Sequence, residues 1–177
     1  MIAGIDVGKR KCHMAVIVGR DVTYLGELRF DFPLKFVGID APLSMPKDGY
    51  FRECERELHK LGIRVIPPIF LKDIHEISLE IARSLRERSV EIFEVYPYAT
   101  RWILGMRWSK RSREGRLKIL KELRNYLELP YTEDHNEIDA ILSALTVKMY
   151  LEGKGEMICG KDGCIVIPRR NLQSQSF

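Results

Sequence analysis

Two spacings of apolar residues take turns along this chain of 177 residues. Short continuous runs read as strands, and longer stretches with apolar positions three and four apart read as helices packed on one face. Residues 1–6 form a strand, 12–18 a second across the turn Gly8-Lys9-Arg10-Lys11, and roughly 22–30 a third after Gly19-Arg20-Asp21, together an antiparallel meander. Residues 36–40 are a fourth run, continuous enough to be buried on both faces. A helix over 51–61 stops at Gly62, a short strand over 63–66 stops at Pro67-Pro68, and a helix over 72–88 aligns Ile74, Ile77, Ile81 and Leu85. Strand 90–95 and a short helix over 97–105 follow. The helix over 114–128 carries a stripe of Leu117, Leu120, Leu123 and Leu127, and the helix over 136–151 is buried through Ile138, Ile141, Leu142, Leu145 and Met149. Residues 157–167 make a hairpin around Lys161-Asp162-Gly163. A meander followed by helices predicts one α/β domain over 1–168, with a flexible tail over 169–177.

Three runs end in an acid: Ile2-Ala3-Gly4-Ile5-Asp6, Phe36-Val37-Gly38-Ile39-Asp40 and Val90-Glu91-Ile92-Phe93-Glu94. As parallel strands they bring these carboxylates to the C-terminal edge of one sheet, where open α/β sheets bind ligands. Asp139 can reach that edge from the first turns of its helix, where a negative charge is favoured. A single strand-end acid is more often solvated or a cap, but a cluster repels itself unless a cation occupies it. Oxygen donors alone suit Mg2+ or Mn2+. Asp6, Asp40, Glu94 and Asp139 suffice for two ions, one activating a water and the other stabilising the leaving oxygen. The expected chemistry is hydrolysis of phosphodiester bonds, and His135, four residues before Asp139 and on its side of the helix, is a candidate auxiliary base.

The segments Gly4–Gly8, Gly38–Ser44, Arg52–Leu58, Phe93–Pro97 and Glu137–Ala140, in this order and on through Ile165–Pro168, resemble domain-of-unknown-function family 429. That family is regarded as predicted nucleases of the RNase H-like fold. The resemblance implies a mixed five-stranded sheet of order 3-2-1-4-5, strand 2 antiparallel, with flanking helices. It also implies a metal site at Asp6, Asp40 or Glu94, and Asp139. The last long helix is similar to that of the RuvC-like junction resolvases, which place an Asp or His three residues before the final Asp. Asn136 stands there in this chain, between His135 and Glu137, and the fourth ligand stays open. The connection before residue 36 is too short for the helix usually found there.

The net charge of +4 is mild, but residues 107–124 hold eight Lys or Arg against two Glu. Lys110, Arg111, Arg113 and Arg116, with Trp102 and Trp108 nearby, form a basic segment suited to the phosphate backbone of DNA or RNA. Of Arg52, Arg56 and Arg64, after the Asp40 loop, one could orient a phosphate or pair with the acid cluster, although each would serve at least as well in an ordinary surface role or salt bridge. His13, His59 and His75 have no partner pattern. Cys12, Cys54, Cys159 and Cys164 include no CxxC pair, which argues against zinc. Cys159 and Cys164 could face each other across the hairpin; an ordinary cytosol keeps such a pair reduced. No apolar stretch is long enough to span a bilayer, and no secretory pattern opens the chain, which points to the cytoplasm. The oligomeric state is open, a homodimer included. Two rival functions remain: a nucleic-acid-binding scaffold without catalysis, and a nucleotide phosphatase or kinase-like relative.

Overall fold

In a computed structural model that describes residues 1–170, strands β1 (Ile2–Asp6), β2 (His13–Val18), β3 (Asp21–Glu27), β4 (Phe36–Asp40) and β5 (Glu91–Glu94) form one sheet of order β3-β2-β1-β4-β5. The tail expected over 169–177 lies, from residue 171 on, outside the described residues. Strand β2 runs antiparallel to β1 and β3, while β1, β4 and β5 are parallel. This is the strand order and direction that the resemblance implies. The connection from Leu28 to Lys35 carries no helix.

Helices α1 (Glu53–Lys60), α2 (Lys72–Arg86), α3 (Pro97–Ile103), α4 (Arg113–Leu123) and α5 (His135–Leu151) flank the sheet. Ile81, Ala82 and Leu85 of α2 cover one face through Ala3, Ile5, Val37 and Ile39. Helix α5 covers the other, and every residue from Ile138 to Val147 is buried because α4 and α3 close over its outer side. The hairpin β6 (Gly155–Gly160) and β7 (Gly163–Pro168) continues the β5 edge through a bridge between Val95 and Val166. Cys159 and Cys164 pair across it and are joined in a disulfide. No helix among the described residues is long and apolar enough to cross a membrane.

Two expectations fail locally. Residues 63–66 form no strand: Ile63 is buried against the α1–α3 cluster, and the Arg64 carbonyl accepts from the Tyr96 hydroxyl (2.9 Å) instead of from a ladder. Helix α4 ends at Leu123, and Leu117 is 42% exposed. The buried side of α4 runs through Gly115, Ile119, Leu120 and Leu123, leaving Leu117 outside the core.

Candidate active site

Side chains alternate along a strand, so Gly4 and Asp6 share one face of β1. The parallel register pairs Gly4 with Gly38 and Asp6 with Asp40, which gives β4 the same arrangement. A β-carbon at Gly4 would lie 2.2 Å from the Ala140 carbonyl oxygen, and one at Gly38 2.7 Å from the Ser143 carbonyl oxygen. Only glycine lets α5 lie this close. Asp139, one residue before Ala140, is thereby held over the ends of both strands. A carboxylate oxygen from each of Asp6, Asp40 and Asp139 lies within 4.8 Å of the other two.

Burial raises the Asp6 carboxyl above its usual range, against the pull of Lys110, His13 and His135. Burial also pushes Asp40 up to about 8, with the Asp6 charge adding to the effect and Lys110 opposing it. Lys110 itself reaches in and pairs with Asp139. Its ammonium is pushed below the ordinary lysine range by burial, against the attraction of Asp40 and Asp6. One ammonium does not balance three carboxylates. The donor set, all oxygen and without sulfur, fits a hard divalent cation.

Glu94 is not brought into this group. Strand β5 pairs Glu94 with Ile39, one residue short of Asp40. A one-residue offset turns a side chain to the opposite face of a sheet. Phe93 therefore packs toward Val147 and Tyr150 on the α5 side, and Glu94 points away. It receives the Arg52 guanidinium (Nη1 to Oε2 2.9 Å, and Nη2 to Oε1) and the Leu43 N–H (2.8 Å). Burial raises the Glu94 carboxyl above its usual range, against the pull of Arg52 and of the Leu43 N–H.

Arg52 borders the same cavity as the three acids but is fully buried, its guanidinium taken up by Glu55, Glu94 and Ser44 and not turned to a phosphate. It caps α1, donates to Glu55 (Nε to Oε1 2.9 Å) and to the Ser44 hydroxyl (2.8 Å), and its own N–H is accepted by Glu55 (2.7 Å). The tip of the hairpin closes the same cluster: Ser44 donates to the Asp162 carbonyl (2.6 Å), and the Glu53 N–H to the Asp162 carboxylate (3.0 Å). Arg56 is exposed on α1 and lines none of the cavities beside the acids.

The basic segment divides in the same way. Lys110 and Arg111 line the carboxylate cleft. Arg116 also lines the cleft and supports both of them, donating to their carbonyls (3.1 Å each). Arg113 is turned outward onto Glu133 (two bonds of 2.9 Å). His135 and Asn136 line the open side of the cleft, whereas Glu137 accepts from Thr132 (2.5 Å) and helps shape the approach to α5. Two contributors escaped sequence reasoning. His13 is buried directly opposite Asp6 in the β1–β2 ladder, a consequence of the turn length. Arg101 of α3, buried at the side of the cleft, gave no signal in the sequence, because its burial depends on how α3 docks.

No family model matches the chain, and no curated protein matches it. Among solved structures, RuvC of T. thermophilus in complex with a Holliday junction substrate is similar over 92% of this chain and 98% of that one, with 14% sequence identity and a TM-score of 0.48.

Proposed function

We propose that this chain is a metal-dependent nuclease that hydrolyses phosphodiester bonds of DNA or RNA, with Asp6, Asp40 and Asp139 as its catalytic and metal-binding carboxylates. One observation carries the conclusion: three acids from separate strands and a helix converge to within 4.8 Å at the C-terminal edge of the sheet, with a lysine already drawn in among them. The resemblance of the sequence to family 429 points the same way.

When bound, a pair of Mg2+ or Mn2+ ions supplies acidity to an attacking water and stabilises charge on the leaving oxygen. Asp6, at the end of the central strand between β2 and β4, would hold the ions together with Asp40 and Asp139. Lys110 and Arg111 face the cleft and meet the phosphate oxygens, and Arg116 fixes the loop that carries them. His135 stands on the open side, within reach of a water entering the cleft. Glu94 acts indirectly: with Arg52 it holds the Leu43 N–H, and so the loop that follows Asp40.

The test is a thermal melt in rising Mn2+, beside a panel of end-labelled DNA, RNA, hybrid and branched substrates. A site that captures the ion gains stability by mass action, about 2.7 kcal/mol at a hundredfold excess over Kd. The wild type should gain, Asp6→Asn should not, and only the wild type should cut. A melting temperature indifferent to Mn2+, with every substrate left intact, would sink the proposal.

A further inference from the structure

Beside the carboxylate cleft, the charge of Arg101 has no counter-ion among the described residues. Arg101 is 8% exposed. Its Nη1 donates to the Trp108 carbonyl (2.8 Å) and, at 3.5 Å, to that of Met106, while its Nε is buried without a partner among the described residues. No carboxylate pairs with it there. A buried cation without a counter-ion is costly. The contrast with Arg52 is direct, since that guanidinium is held by two carboxylates.

Arg101 lies in the wall between two cavities. One, of about 440 Å³, contains Asp6, Asp40 and Asp139. The other, of about 490 Å³, shares Tyr98, Arg101, Lys110 and Arg111 with the first and extends past Trp102, Arg107, Trp108 and Arg64. Not one acid lines this second cavity. Cations and rings alternate along it. The Arg107 guanidinium lies 4.2 Å from the centre of the Trp102 ring, Trp102 stacks with Tyr98 at 6.2 Å, and Arg101 sits 5.7 Å from the Tyr98 ring.

Cations without acids call for a polyanion, and the half-buried rings of Tyr98, Trp102 and Trp108 set among them favour flat partners. A duplex offers phosphates but keeps its base faces stacked inside. An unpaired strand offers both. We propose that this groove is a track for single-stranded DNA or RNA that leads into the carboxylate cleft, with Arg101 taking a backbone phosphate beside it. What happens at the end of the track rests on the nuclease function proposed above; binding along it does not.

Trp102 and Trp108 are the chain's two tryptophans, and both line the groove, so their emission reports on it alone. The experiment titrates the full chain, in EDTA to prevent cleavage, with oligothymidylate, with oligouridylate and with a blunt DNA duplex of the same length. The single strands should quench the emission and bind at least about tenfold more tightly than the duplex, the scale of losing one or two stacked bases. A preference between the two single strands assigns the track to DNA or to RNA. Arg107→Gln, at an exposed position, and Arg101→Met should each weaken single-strand binding by about tenfold. Equal or tighter binding of the duplex overturns the proposal, as does single-strand binding that leaves the emission and both variants' affinities unchanged. A protein that quenches in EDTA but never cuts keeps the track and loses the nuclease. One that cuts only duplexes keeps the nuclease and loses the track.

Discussion

Strands β4 and β5 end alike in sequence, an apolar run and then an acid, yet their acids have opposite fates. Asp40 looks toward α5 and shares an edge with Asp6 and Asp139. Glu94 looks away and is locked by Arg52. The whole difference is one residue of register, Ile39 opposite Glu94 where an acid pair would need Asp40. Two carboxylates at the tips of neighbouring strands can therefore belong to different clusters, one to the group of acids and one to the buried ion pairs beside it.

The sharpest way to break this contrast is to neutralise each acid in turn. Asp40→Asn should cost cleavage on the order of a thousandfold, the scale of losing a charge that acts in the transition state, and should abolish stabilisation by Mn2+. Glu94→Gln should lower stability yet keep the Mn2+ gain, with cleavage reduced only by about ten- to a hundredfold, as for a residue that orients others. Thermal melts with and without Mn2+, alongside cleavage rates, separate the two. If Glu94→Gln lost the Mn2+ gain as fully as Asp40→Asn, both acids would be ligands and the contrast would vanish.

Next comes Arg52→Met, which leaves Glu94 and Glu55 buried without their cation. Breaking a buried pair from one side costs about 3–5 kcal/mol, a large share of what holds a domain together. Denaturant unfolding should show that loss, while Arg56→Met, on the exposed side of the same helix, should change little. Comparable losses in the two variants would mean that the buried cluster is not what fastens the Asp40 loop.

Gly38→Ala probes the other side of the comparison. A methyl group 2.7 Å from the Ser143 carbonyl must push α5 off the sheet, and overpacking of this kind costs about 1–3 kcal/mol. Because Asp139 rides on α5, Mn2+ binding should weaken along with stability. A variant that is destabilised but binds Mn2+ with unchanged affinity would uncouple the helix contact from the site.

The sequence displayed the strands, the helices that cover them and the acids at their ends, because each is written in spacing over a few residues. Register is not local. The segment with α1 and α2 between β4 and β5 can deliver Glu94 opposite Ile39 or opposite Asp40 with the same run of apolar residues, and the packing of Phe93 against Val147 and Tyr150 goes with the first. Likewise the burial of Arg52 and Arg101 was not legible, since nothing within several residues says that a hairpin tip will seal one and a cleft wall will bury the other. Lys110 was legible as a cation near the chemistry, though its pairing with Asp139 was not.

The last effect concerns protons. The Asp40 carboxyl is raised to about 8 from an ordinary value of 3.8, first by burial and then by the Asp6 charge. Between those values the folded, metal-free chain holds a proton that the unfolded chain has released. Stability tied to Asp40 is therefore full at low pH and is lost as pH rises toward 8. A divalent cation takes the place of that proton, so the gain from Mn2+ should grow across the same window. Melts in EDTA at roughly pH 5 and pH 8 should show the wild type falling relative to Asp40→Asn, whose amide neither gains nor loses a proton. Parallel behaviour of the two proteins would mean that the carboxylates already meet in water and that Asp40 does not carry the strain of the cluster.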